Sequence, residues 1–143
     1  MKIAIRYFTK TGNTKKLADA INEVVKVPAL NAKDNPITED IDILFLGSSV
    51  MATKLRRQVK DYINTFDTKI GLVVNFSIGG LIESTYKPVR KLIQNRGYKM
   101  APEEFHSIGQ MWKFNKGHPN KEEIKAAKAF SKSILKKYST VEN

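Results

Sequence analysis

No cysteine occurs in the 143 residues. Its absence excludes disulfides, thiolate catalysis and any cysteine-held metal or iron–sulfur centre. Histidine is scarce too, and His106 and His118 are too few to suggest a metal site. No stretch approaches the roughly 20 apolar residues of a membrane span, so no membrane association is expected. The opening Met1-Lys2-Ile3-Ala4-Ile5-Arg6-Tyr7 breaks its apolar run with charge and turns polar by Thr9. It reads as a first strand rather than a signal peptide, and a cytoplasmic location is expected. Acid is in short supply: 14 Asp and Glu stand against 25 Lys and Arg, a net charge of +11. That imbalance favours anionic partners. Yet no basic run exceeds two residues, and Lys121, Lys125, Lys128, Lys132 and Lys136 recur as one flank of an amphipathic helix. Solvated helix surface accounts for them better than a nucleic-acid patch does.

What is present is a globular balance, 41% hydrophobic and 27% charged, long enough for one buried core. No repeat, linker or low-complexity segment divides the chain, so residues 1–143 are expected to form one domain. Apolar strands alternate with amphipathic helices throughout. Lys2 to Phe8 is a strand ending in a turn at Thr11-Gly12-Asn13. Leu17, Ile21, Val24 and Val25 then recur at helical spacing, predicting a helix over about 13–26. Val27 to Asn31 is a short strand whose Pro28 cannot donate to a ladder, which places it at an edge. Lys33 to Asp40 is a polar connection without room for a full helix. Ile41 to Leu46 and Ile70 to Phe76 are almost wholly apolar, as strands covered on both faces are. Leu55, Val59, Tyr62, Ile63 and Phe66 mark the helix between them. A helix from Thr85 to Asn95 should stop at Gly97 in a left-handed cap. Tyr98 to Ile108 is a second edge strand, with Pro102 inside it. The last helix opens on Asn120 with Glu123 three residues later, a capping box. This βαββαβαβα order predicts an α/β fold of three layers, αβα, around a five-stranded parallel sheet of order 2-1-3-4-5.

In such a sheet, ligands bind beyond the carboxyl ends of the strands, near the switch point between the first and third. Three segments should meet there: Thr9 to Thr14, Gly47 to Thr53, and Asn75 to Gly80. The first, Thr9-Lys10-Thr11-Gly12-Asn13-Thr14, sets three hydroxyls and a glycine between a strand and a helix N-terminus. Free backbone N–H groups and the positive helix end suit an anion there. Composition alone serves equally for a plain turn with a capping residue. The Gly-x-x-x-x-Gly-Lys-Ser/Thr and Gly-x-Gly-x-x-Gly phosphate patterns are both missing.

The same six residues, followed by Lys16-Leu17-Ala18, resemble the Thr/Ser-x-Thr-Gly-Asn-Thr phosphate loop of the flavodoxin family. The likeness continues through Asp42-Ile43-Leu44-Phe45-Leu46-Gly47-Ser48-Ser49, then Val73-Val74-Asn75-Phe76-Ser77-Ile78-Gly79-Gly80, and the start of the last helix. It spans essentially the whole chain, in the family's order. The resemblance implies a flavodoxin-like electron carrier that binds FMN. Thr9, Lys10, Thr11, Gly12, Asn13 and Thr14 would hold its phosphate. Ser48, Ser49, Val50 and Met51, with Phe76, Ser77, Ile78 and Gly79, would bracket its ring system.

The chain departs from the family's pattern in three ways. Val50 and Met51 stand where a stacking aromatic is common, so weaker flavin binding is expected unless Trp112 supplies a cover. No glycine lies between Gly47 and Gly71 to ease a peptide flip in the first flanking loop. The rim is basic, with Lys10, Lys54, Arg56, Arg57 and Lys113, where the family is typically acidic. The expected partner is therefore a redox protein with an acidic docking face, met by a monomer or weak dimer. His106 and His118 read as structural. Alternatives are a small FMN-dependent reductase acting on a quinone or similar acceptor, and a flavin-free binding module of the same fold.

Overall fold

The computed structural model describes residues 1–51, 54–55, 57–79, 84–108 and 119–139. Six strands and four helices alternate along them. They are β1 (Ile3–Tyr7), α1 (Asn13–Val25), β2 (Ala29–Asn31), β3 (Ile41–Met51), β4 (Lys54–Leu55), α2 (Arg57–Ile63), β5 (Ile70–Gly79), α3 (Tyr86–Asn95), β6 (Met100–Ile108) and α4 (Lys121–Ser139). Five strands pair in parallel in the order β2-β1-β3-β5-β6, which is the expected 2-1-3-4-5 sheet. β4 is a two-residue addition, antiparallel to the outer end of β3. Both proline-flagged strands lie at the edges. Among the described residues no helix is long and apolar enough to cross a membrane.

Alternation along the central strands builds two cores. Ala4, Leu44, Leu46 and Val73 face Val59 and Ile63 of α2 and Val89 and Ile93 of α3. Ile5, Ile43, Phe45, Val74 and Phe76 face Leu17 and Ile21 of α1 and Ile134 of α4. A strand covered on both sides is apolar on both faces, and this is why the runs at 41–46 and 70–76 show no regular polar alternation. The polar connection after β2 holds a single 3-10 turn over residues 32–34. Beyond it, the Asn35 carbonyl accepts from Arg6 Nε at 2.9 Å and from the Tyr62 hydroxyl at 2.8 Å.

The helix ends follow their chemistry. In the capping box of α4, Glu123 N–H donates to Asn120 Oδ1 at 2.9 Å and Asn120 N–H to Glu123 Oε1 at 3.1 Å. Gly97, at φ 81°, closes α3, with Tyr98 N–H reaching back to the Ile93 carbonyl. α1 ends instead on Lys26, a non-glycine residue at φ 61°.

Two expectations are corrected. The segments 47–51 and 77–79 are expected to be loops; they continue β3 and β5. The reason is register: Gly47, Ser48 and Ser49 pair with Phe76, Ser77 and Ile78, so the backbone ladder outlasts the apolar run. The helix expected to span Leu55 to Phe66 covers only Arg57–Ile63, with Phe66 buried just beyond it.

Candidate functional site

The three segments expected to converge do so at the carboxyl end of the sheet. β1 runs beside β3 with Tyr7 opposite Gly47, and Phe8 N–H donates to the Gly47 carbonyl at 2.9 Å. Pairing of Ser48 with Ser77 and Ser49 with Ile78 aligns the ends of β3 and β5. The 9–14 segment leaves β1 at this edge and enters α1.

Within that segment, Gly12 adopts φ 90° and is the N-cap of α1, with no side-chain capping bond. Thr9 Oγ1 accepts from Gly12 N–H at 2.8 Å, tying the loop across its mouth. Lys16 N–H closes the first turn onto the Gly12 carbonyl at 3.2 Å. The N–H groups of Asn13, Thr14 and Lys15 therefore have no helical acceptor. No acidic side chain occupies the first turn, and no atom lies within 4 Å of where a Gly12 Cβ would stand. The result is an open cradle of donors at a positive helix end. Lys10 and Thr11 are exposed, whereas Asn13 and Thr14 are buried. Lys15 is engaged with Asp19 at 2.8 Å, which raises its ammonium pKa.

The flanking segments divide between surface and interior. Ser49 is partly exposed; Val50 and Met51 pair in the backbone with Leu55 and Lys54. Ile78 and Gly79 are buried at the end of β5. Phe76, expected to flank a ring system, is a core residue at 0% exposure. Its ring lies where a Cβ on Gly47 would have to be, 2.2 Å away, so Gly47 is small to admit Phe76. Arg56, Gly80, Trp112, Lys113 and His118 lie outside the described residues, so the candidate Trp112 cover falls there too.

Ser48 and Ser77 are fully buried and belong to a polar network that spacing did not reveal. The Thr85 hydroxyl, at the start of α3, accepts from Ser48 Oγ at 2.9 Å and from Asn75 Nδ2 at 3.1 Å. Thr85 N–H points to Ser77 Oγ at 3.4 Å, and Ser77 Oγ lies 2.7 Å from His106 Nδ1. Burial holds the His106 imidazole below its ordinary pKa, opposed by the nearby Glu104 carboxylate. This network ties β3, β5, β6 and α3 together directly behind the candidate site. A threonine at a helix start reads as a cap, and nothing in the sequence says that its hydroxyl turns inward.

Residues 4–99 match the family described as a flavodoxin domain. An uncharacterized protein of Methanocaldococcus jannaschii is 29% identical over 136 residues, covering 87% of this chain and 91% of that protein. Among solved structures, a flavodoxin from the domain Archaea superposes with TM-score 0.74 at 15% identity, covering 96% of this chain and 98% of that one. Oxidised flavodoxin 2 from Bacillus cereus gives 0.68 at 18% identity, over 96% of this chain and all (100%) of the other. At these identities the structures share the fold.

Proposed function

The chain belongs to the flavodoxin family, and from that premise we propose that it binds FMN and passes electrons between protein partners. The observation that carries this reading is the open start of α1. A left-handed Gly12, three first-turn N–H groups without acceptors and a first turn free of acid suit a phosphate monoester. Thr9, Lys10, Thr11, Gly12, Asn13 and Thr14 would hold that phosphate, and the uncrowded space beside Gly12 lets it approach the backbone. The ring system would lie against Ser49, Val50 and Met51 on one side and the Ile78–Gly79 end of β5 on the other. When bound, FMN supplies one- or two-electron transfer. The protein's part is to bind and orient it, with Thr85 holding Ser48 and Asn75 in place behind it.

A redox partner with an acidic face suits the net charge of +11, and a cytoplasmic monomer or weak dimer suits a carrier of this size. The test is a titration of the purified protein with FMN, read by quenching of flavin fluorescence. Saturable one-to-one binding is expected, weakened at least about tenfold in a Thr11→Ala/Thr14→Ala variant through lost phosphate donors. Failure to bind FMN, FAD or riboflavin would overturn the reading and leave a flavodoxin fold with another use.

A further inference from the structure

The four helices treat their charges differently. α4 carries Glu122 and Glu123 in its first turn and Lys136 and Lys137 in its last, as the helix dipole favours. α1 compensates Lys15 with Asp19, and α2 pairs Arg57 with Asp61, each at i,i+4. α3, of sequence Tyr-Lys-Pro-Val-Arg-Lys-Leu-Ile-Gln-Asn, holds no acid at all. Its Lys87, Arg90 and Lys91 are all exposed and stand at i, i+3 and i+4. They therefore form one patch of mutually repelling cations, with Lys87 at the helix end where a cation is least favoured. Among the described residues none of the three has an ion-pair partner. With Gln94 and Asn95 they line a shallow depression of about 320 Å³.

Of the four described helices only α3 has no acidic residue to answer its cations, whereas even the lysine-rich α4 carries two glutamates, and an uncompensated patch of this kind points to a use. We propose that the outer face of α3, centred on Lys87, Arg90 and Lys91, is the docking surface for an acidic protein. That this protein is a redox partner rests on the flavin reading; the docking itself does not. Three cations with two amides one turn beyond them fit carboxylates spread over a protein face. Single-stranded nucleic acid is recognised through exposed aromatic platforms. The one aromatic residue of α3, Tyr86, is instead half-buried with its hydroxyl bonded to the Ala101 carbonyl at 2.9 Å. A membrane-surface helix needs exposed apolar residues. Among the described residues Met1 is the only large one, and it is not on this helix. Docking at α3 also places the partner near the candidate site, because α3 starts at Thr85 beside Ser48 and Ser77.

The test compares two triple variants of equal charge change, Lys87→Glu/Arg90→Glu/Lys91→Glu on α3 and Lys121→Glu/Lys125→Glu/Lys132→Glu on α4. Binding of a fluorescein-labelled polyglutamate peptide is followed by anisotropy at low salt, with the full-length protein both FMN-loaded and flavin-free. The α3 variant should lose affinity at least about tenfold and the α4 variant less than about threefold, since docking is local while net charge is shared. The α3 variant should also melt about 3 °C higher than the parent, because repulsion and an unfavourable dipole contact are removed. Equal losses in the two variants would overturn the proposal. So would an unstabilised α3 variant, or tighter α3-dependent binding of an RNA oligonucleotide or of phosphatidylserine vesicles. An FMN titration of the same samples judges the flavin reading separately, so the two can fail independently.

Discussion

His106 shows how one side chain can record its surroundings in a measurable slope. Its imidazole is packed beside Ser77 and Glu104, and burial lowers its pKa below the ordinary 6.5. The unfolded chain therefore takes up a proton on this residue at a higher pH than the folded chain does. Stability should fall as the pH drops through about 6.5 and continue to fall until the lower folded pKa is reached. A neutral His106→Gln variant should lack that part of the slope. Urea midpoints of parent and variant between about pH 7.5 and 5.5 are the measurement, and curves that stay parallel would mean the imidazole protonates as freely folded as unfolded. Thr85 illustrates the same point without a charge. Its hydroxyl satisfies Ser48 and Asn75, both at 0% exposure, and these groups would otherwise be buried without partners.

At the level of elements, the end of α1 carries a specific cost. Lys26 takes φ 61° where α3 places Gly97 at φ 81°. A side chain in that region strains the backbone, and glycine does not suffer it. Lys26→Gly should stabilise the fold by about 1 kcal/mol, read as a higher urea midpoint with an unchanged slope. The absence of a glycine is also why the left-handed end of α1 was invisible in the sequence, whereas Gly97 announced the end of α3. The same logic separates the rest of what could be read. Strand order followed from two prolines and from apolar runs too continuous to face water, and the last helix from Asn120 and Glu123. The outer ends of β3 and β5 were missed because Ser48 and Ser77 look like loop residues. They are strand residues because the neighbouring ladder holds their backbones and Thr85 and His106 answer their side chains. Phe76 followed the opposite course. It looked available to a ligand, but the missing Cβ of Gly47 gives its ring a place in the core. The candidate site was thus legible in its backbone geometry at 9–14, which local chemistry sets. It was illegible where it depends on which face of a strand a residue occupies.

For the whole molecule, a net charge of +11 creates a positive potential that acts on any anion approaching the 9–14 loop. If FMN is the ligand, as proposed, two sources of phosphate affinity are to be told apart. The N–H groups of α1 and the threonine hydroxyls act at contact and are screened little by salt. Lys10 and Lys16 are exposed, and their attraction is screened strongly. FMN and riboflavin differ only by the phosphate, so the ratio of their affinities isolates it. Raising the salt from about 0.01 to 0.15 M shortens the screening length from about 30 to 8 Å. Over that range FMN binding should weaken by about tenfold, the loss of two cation contacts with a dianion near the surface, while riboflavin binding holds steady. A Lys10→Gln/Lys16→Gln variant should start weaker at low salt and show a flatter response. If FMN affinity ignores salt, the contact donors alone hold the phosphate. The surplus positive charge would then act on partner proteins and not on the cofactor.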